Sequence, residues 1–333
     1  MTPIEFGIIS LPLPGRAVAA AIAAEEDGYD VVLMPDSQNL YGDPYTQLAL
    51  IAKATSRIRM GPGVTNPVTR HPAVTAASIV SVQAESGGRA ILGMGRGDSS
   101  LLHIGREPAS MRTYAKYVRE VQTYLGGGEV DQKGFSSRIR WLEGYDLPKV
   151  PLDMACTGPK SISLAAATAE RVTFAVGAAP ERVQWALDVA KTAANEAGRD
   201  PDEIQFGAYI NAVAMPDRDA ARQALRGVVA TFAHFSGGTG TVFEGQPDML
   251  RRVSEKLQDT YDTRQHGQAD ADHAKIIDDQ FIDWFSIAGP PDYVIERLRT
   301  LMGLGLNHIY FVGAFQPISR ELFAREVLPV LRE

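Results

Sequence analysis

Eight times along this chain a short apolar run gives way to a stretch with helical spacing, and that recurrence limits the possible folds more than any other feature. The runs fall at residues 4–10, 30–34, 58–64, 90–94, 152–156, 171–176, 204–211 and 308–312. Val, Ile and Leu run through them almost without a break, as in parallel strands covered on both faces. Helical patterns follow at 16–27, 45–56, 73–86, 111–125, 161–169, 180–198, 217–235 and 319–331. Eight such units in 333 residues predict an α/β protein, a (β/α)8 TIM barrel forming a single domain over 1–333. A doubly wound sheet would instead place Gly-x-Gly-x-x-Gly after its first strand. Here the first strand meets Leu11-Pro12-Leu13-Pro14-Gly15, and in the Gly93-Met94-Gly95 cluster Asp98 stands where the third glycine belongs.

Two segments leave the pattern. Residues 129–149 read as irregular, with a hairpin through Phe135, Ile139 and Trp141. Residues 236–288 read as an insertion before the last strand, with helical pieces near 247–261 and 271–284. The Gly-rich, polar part of it, 236–275, suits a mobile lid.

Charge and cysteine usage exclude several classes. The net charge is −7 and the 33 basic residues are scattered, so nucleic acid is not an expected partner. No apolar run approaches the roughly 20 residues that span a bilayer. Residues 4–9 read as a strand and not a signal peptide. The single cysteine, Cys156, cannot form an internal disulfide and suits a cytoplasmic location.

Barrels bind ligands where strands end and βα loops begin. Those positions here are Ser10, Asp36-Ser37, residues 61–66, residues 95–98, residues 157–161, Gly177, Asn211 and Gly313. In residues 61–72, three prolines and two glycines restrict the backbone, while Thr65, Asn66, Thr69, Arg70 and His71 supply polar groups. The plainer reading is a tight connection in which Arg70 and His71 merely cap. At Thr157-Gly158-Pro159-Lys160-Ser161, free N–H groups, the helix dipole and a lysine together make an anion site, unless Thr157 is only a cap. Asp36 and Asp98 could bond a ring N–H or serve as acid or base, or could cap a turn.

Other chemistries find little support. The six histidines show no metal-ligand spacing, so no metal is expected, and Asp270-Ala271-Asp272-His273 lies in a helical stretch. No serine has a nucleophile-elbow setting, and Cys156 reads as a small buried residue. A phosphate site without metal, thiol or serine chemistry points to a cofactor.

Residues 61–72, with Ser86-Gly87-Gly88-Arg89-Ala90 and the run on to Asp98, resemble the bacterial luciferase-like superfamily. Within it they are most similar to the methylenetetrahydromethanopterin reductase branch, which uses the deazaflavin coenzyme F420. Ala288-Gly289-Pro290-Pro291 belongs to the same likeness, which is loosest at 126–150 and 236–275. The resemblance implies a barrel with the deazaflavin ring at the strand C-termini. It also implies a bulge with a non-prolyl cis peptide at Gly63–Val64. It assigns phosphate contacts to Gly158, Pro159, Lys160 and Ser161, and ring or tail contacts near Asp36, Asn66, Gly95, Arg96, Val176 and Gly177. With Ser10, Gly61, Gly63, Val64, Thr65 and Thr157 these make up the expected cofactor site. Many relatives have a histidine where Ser37 stands.

The function this implies is hydride transfer between the F420 C5 and a small organic substrate, with Asp36, His71 and Asp98 as candidate proton donors. The alternatives are an FMN-dependent monooxygenase supplied by a separate flavin reductase, and a non-catalytic flavin-binding protein. Relatives pair, so a homodimer through the helices near 45–56 and 73–86 is expected.

Overall fold

The computed structural model describes residues 4–237, 247–313 and 316–333. In chain order the strands are β1 (Glu5–Ile9), β2 (Val31–Met34), β3 (Arg59–Pro62), β4 (Leu92–Met94), β5 (Val130–Gln132), β6 (Phe135–Ser137), β7 (Leu152–Cys156), β8 (Arg171–Phe174), β9 (Gln205–Ala214), β10 (Ile287–Gly289) and β11 (His308–Val312). The chain forms two compact units, one of residues 10–155 and 168–171, the other of 1–9, 156–167 and 172–333. In the first, β2 pairs parallel with β3 and β4 with β7, while bridges Met60↔Ala90 and Thr65↔Met94 join β3 to β4. In the second, the order is β1-β11-β9-β8, with β10 added to the far end of β9. Each of these eight principal strands leads into a helix, and the fold is the (β/α)8 barrel. Among the described residues no helix is long and apolar enough to cross a membrane.

Glycine is obligatory where strands must touch. A Cβ on Gly61 would lie 1.9 Å from the Ile91 carbonyl oxygen, and one on Gly93 would lie 2.1 Å from that of Pro62. Gly207 makes room for the His308 ring, whose Nε2 meets the Thr173 hydroxyl at 2.7 Å. The motif Ser86-Gly87-Gly88-Arg89-Ala90 is architectural. Gly87 and Gly88 have φ of 65° and 98°, the left-handed turn that ends helix Pro72–Ser86. Arg89 then donates to the carbonyls of Ser86, Ile58, Ala52 and Thr55 at 2.7–2.9 Å, tying the end of helix Pro44–Ala54 to the start of β4.

Three expectations change. The third strand, read to Val64, leaves its ladder with β2 at Pro62, because the Gly63–Val64 peptide is cis. The seventh run extends to Ala214, since β10 pairs with Ala212–Ala214, so Asn211 lies inside β9 and not at its end. β10 itself is only three residues long, too short to show a period against its helical surroundings.

The fourth difference concerns 236–288. Helix Arg218–Gly237, helix Asp248–Thr260, a 3-10 turn Asp272–Ile276 and helix Asp279–Phe285 bury Leu250, Leu257, Ile277, Phe281 and Phe285 against Leu225 and Val229. The described part of the expected lid is therefore a packed helical layer; residues 238–246 lie outside the described residues. The single helix read at 271–284 is broken because the Asp278 carboxylate accepts the Phe281 N–H at 2.8 Å, starting a new helix.

Candidate active site

In the first unit the site grows from the end of β3. Gly63 N–H still bonds the Met34 carbonyl at 2.7 Å. After the cis Gly63–Val64 peptide the chain rejoins its other neighbour. Thr65 N–H donates to Gly93 and Gly95 N–H donates to Thr65, at 3.0 and 2.9 Å. The result is a bulge whose two residues are only partly buried while Thr65 and Asn66 on its flank are fully so. Val64 packs on Gly95, where a Cβ would come within 2.9 Å of its Cγ2. Ser10, whose N–H bonds the Leu33 carbonyl at 2.9 Å, ends β1 and is partly buried.

Asp36, one residue beyond Pro35 at the end of β2, is buried. Its carboxylate accepts the Thr65 hydroxyl at 2.7 Å and the Gln38 amide at 2.5 Å, and Arg70 Nε stands 3.6 Å away. Burial raises its pKa above the usual carboxylate value, outweighing Thr65 and Arg70, which pull it down. Arg70 also pairs with Asp43 and lies 4.7 Å over the Tyr45 ring. Its carbonyl accepts the Tyr117 hydroxyl at 3.0 Å, and burial pushes that phenol up to about 12. Tyr45 is likewise raised, by burial first and the Asp36 charge second.

Asn66 spends its side-chain oxygen on the Val68 and Thr69 N–H groups at 3.0 and 3.1 Å, an Asx turn, while its Nδ2 is buried with no partner among the described residues. Arg96 Nε is likewise buried without a partner among the described residues. Buried donors are nearly always bonded, so a group of orphans beside one bulge marks a place built for a ligand.

Asp98, just past β4, has no capping hydrogen bond, and burial raises it to about 6 despite Arg96 nearby. An acid raised on folding loses stability as pH climbs from its unfolded to its folded pKa. Asp98→Asn is therefore expected to be more stable than the native chain by about 1–3 kcal/mol at pH 7. The difference should shrink toward zero as pH falls through 3.8, the ordinary value of an aspartate. Denaturant midpoints at pH 4 and 7 check this; a constant difference would refute it.

His71 takes the plainer of its two readings. It is exposed, and its Nδ1 accepts the Ala73 N–H at 3.2 Å as the cap of helix Pro72–Ser86.

In the second unit, Thr157 to Ser161 open helix Pro159–Thr168. Gly158 is buried and exchanges hydrogen bonds with Ser161, whose hydroxyl donates to the Gly158 carbonyl at 2.9 Å. Pro159 and Lys160 are exposed. Cys156 is buried and bonds the Ser161 carbonyl. Val176 and Gly177 follow β8 as buried loop residues. Gly177 has φ 85° and touches the Phe285 ring, so packing alone already demands glycine there. Asn211 is fully buried with neither amide atom bonded among the described residues.

Residue types alone did not bring Tyr45, Thr75 and Tyr117 to Asp36; in sequence they are only first-turn or mid-helix residues. The one local sign was Asp43-Pro44-Tyr45, a capped helix start that fixes where the ring points.

Loops at strand ends holding a buried acid and orphaned donors are what a (β/α)8-barrel protein offers a ligand at the C-terminal ends of its strands. The chain belongs to the luciferase-like monooxygenase family, whose model matches residues 7–308. It is 31% identical to the 5,10-methylenetetrahydromethanopterin reductase of Archaeoglobus fulgidus over 93% of each chain. Identity to the enzyme of that name from Methanopyrus kandleri is 29% over the whole of both chains. The solved structure of the coenzyme F420 dependent tetrahydromethanopterin reductase from Methanopyrus kandleri covers 99% of both chains, with TM-score 0.77 and 29% identity. The resemblance read from residues 61–98 therefore extends along the whole chain.

Proposed function

We propose that this chain is a coenzyme F420-dependent oxidoreductase acting on a small organic substrate. The supporting observation is the bulge at Gly63–Val64 flanked by unbonded donors on Asn66 and Arg96, in a chain matching F420-dependent reductases from end to end. The oxygen-rich ring edge and phosphodiester of a deazaflavin are acceptors, which suits those donors.

When bound, the deazaflavin supplies or accepts the hydride. The chain supplies position and protons. Ser10, Asn66, Gly95 and Arg96 are assigned to the cofactor in the first unit. Gly158 to Ser161 with Val176 and Gly177 are assigned to it in the second. Asp36 is assigned the proton. Thr65 and Arg70 orient its carboxyl, and burial keeps the protonated form accessible nearer neutral pH than an exposed aspartate would. Asp98 is a second proton source, and His71 is assigned to helix capping.

Titration of the purified protein with F420 and with FMN tests this reading. F420 is expected to bind; tight FMN binding without F420 binding would overturn it in favour of the monooxygenase. Turnover is assayed first with 5,10-methylenetetrahydromethanopterin, the acceptor named by the relatives. A cytoplasmic location fits the lone buried cysteine.

A homodimer belongs to the same proposal. Leu50 on helix Pro44–Ala54 and Val74 on the neighbouring helix Pro72–Ser86 are 52% and 49% exposed, unusual for large apolar side chains on adjacent helices. The native chain should sediment as a dimer at micromolar concentration and Leu50→Glu with Val74→Glu as a monomer. A monomeric native chain would contradict it.

A further inference from the structure

Arg182 occupies a place that a cation should avoid three times over. It lies in the first turn of helix Pro180–Glu196, where the dipole favours anions. It is 1% exposed. Its Nε and Nη1 have no hydrogen-bond partner among the described residues. Among the described residues, the faces of Trp284 and Phe285, 5.8 and 5.7 Å away, and the charge of Glu181 act on the guanidinium.

The carboxylates nearby are committed elsewhere. Glu181 accepts the Trp284 indole N–H at 2.6 Å. Asp283 is bonded by Arg218 and Arg222 at 3.0 and 2.7 Å. A second guanidinium, Arg297, bonds the carbonyls of Ala178 and Asp283. Burial lowers the Arg182 pKa to about 10, which leaves it charged at neutral pH. An unpaired buried charge is strongly destabilising, and chains keep one where a ligand supplies the counter-charge. The loop from β8 to this helix, residues 175–179, is at the C-terminal end of a barrel strand, where this fold binds its ligands.

We propose that Arg182 is the receptor for an oxyanion, a carboxylate or phosphate, carried by the small molecule this protein binds. The rings of Trp284 and Phe285 exclude water from the pair and strengthen it. The site does not depend on which cofactor the protein uses.

The test uses the full chain and inorganic phosphate, with chloride at equal ionic strength as the reference. Phosphate should raise the Tm of the native protein above the chloride value. In Arg182→Met the ligand-free Tm should hold or rise, because an unpaired buried charge is removed, while phosphate affinity falls about tenfold to a hundredfold. Arg182→Gln, which keeps polarity without charge, should lose the phosphate response likewise. A second arm compares F420 with its uncharged deazaflavin riboside. If the preference for F420 over the riboside drops in the variants, the oxyanion belongs to the cofactor; if only the phosphate response drops, it belongs to the substrate. A native protein indifferent to phosphate, with that preference also unchanged in the variants, overturns the proposal. So does a phosphate response that survives in either variant together with an unchanged preference.

Discussion

Gly61→Ala is expected to leave no soluble, cooperatively folding protein. The added methyl would lie 1.9 Å from the Ile91 oxygen and 2.9 Å from its carbonyl carbon, both main-chain atoms. Neither can move without breaking the bonds that hold β3 to the strand beside it, Met60 N–H to Arg89 and Ile91 N–H to Met60, at 3.1 and 2.8 Å. Clashes that must be relieved by the backbone belong to the rare class costing more than about 4–5 kcal/mol, a large share of the 5–15 kcal/mol that holds a typical domain together. Gly144→Ala is the control, since nothing lies within 4 Å of its added methyl. Soluble yield and guanidinium midpoints of the two variants decide the matter. A Gly61→Ala protein with a native midpoint would show that the two strands can separate locally at little cost.

Asp36→Asn should keep the fold and lower turnover by about 10²–10⁴, the range for losing a positioned acid or base. Asparagine can still accept from Gln38 and still meet the Thr65 hydroxyl, and Arg70 retains Asp43. What it loses is the titrating proton. In the direction that consumes a proton, the native rate should fall as pH rises through the raised Asp36 pKa, because the protonated acid is the donor. The variant's residual rate should be flat across that window. A variant with native kcat would reduce Asp36 to an anchor for Thr65 and Arg70.

The succession of strands and helices was legible from residue type because periodicity is local. The helix read at 111–125 has those limits in the structure, and those read at 16–27, 45–56, 73–86, 161–169, 180–198 and 217–235 shift by no more than two residues at either end, while the one read at 319–331 is divided into Pro317–Leu322, a π turn Phe323–Val327 and Leu328–Leu331. The bulge was placed at Gly63–Val64 through the likeness of residues 61–72 to a known family, and the structure has its cis peptide there. Less was legible where partners are distant in sequence. Asn211 was assigned to a strand end because nothing near it announces that β10, some 75 residues on, will extend β9.

By itself, then, the sequence determined the order of the βα units, the glycines and prolines that shape their ends, and the family to which they belong. Each of those is a property of neighbouring residues. Only the tertiary structure decided which of two roles each polar residue takes. His71 became a cap once the helix behind it formed, and Asp36 became a raised acid once burial outweighed the pull of Thr65 and Arg70. The described residues of 236–275, polar enough to read as a lid, became part of a packed layer because Leu250 and Leu257 found a common face with Phe281. Arg182 looked like any helix-surface arginine until Trp284 and Phe285, a hundred residues away, took it out of water. Burial depends on what the rest of the chain brings, and burial is what turns an ordinary ionisable side chain into a site.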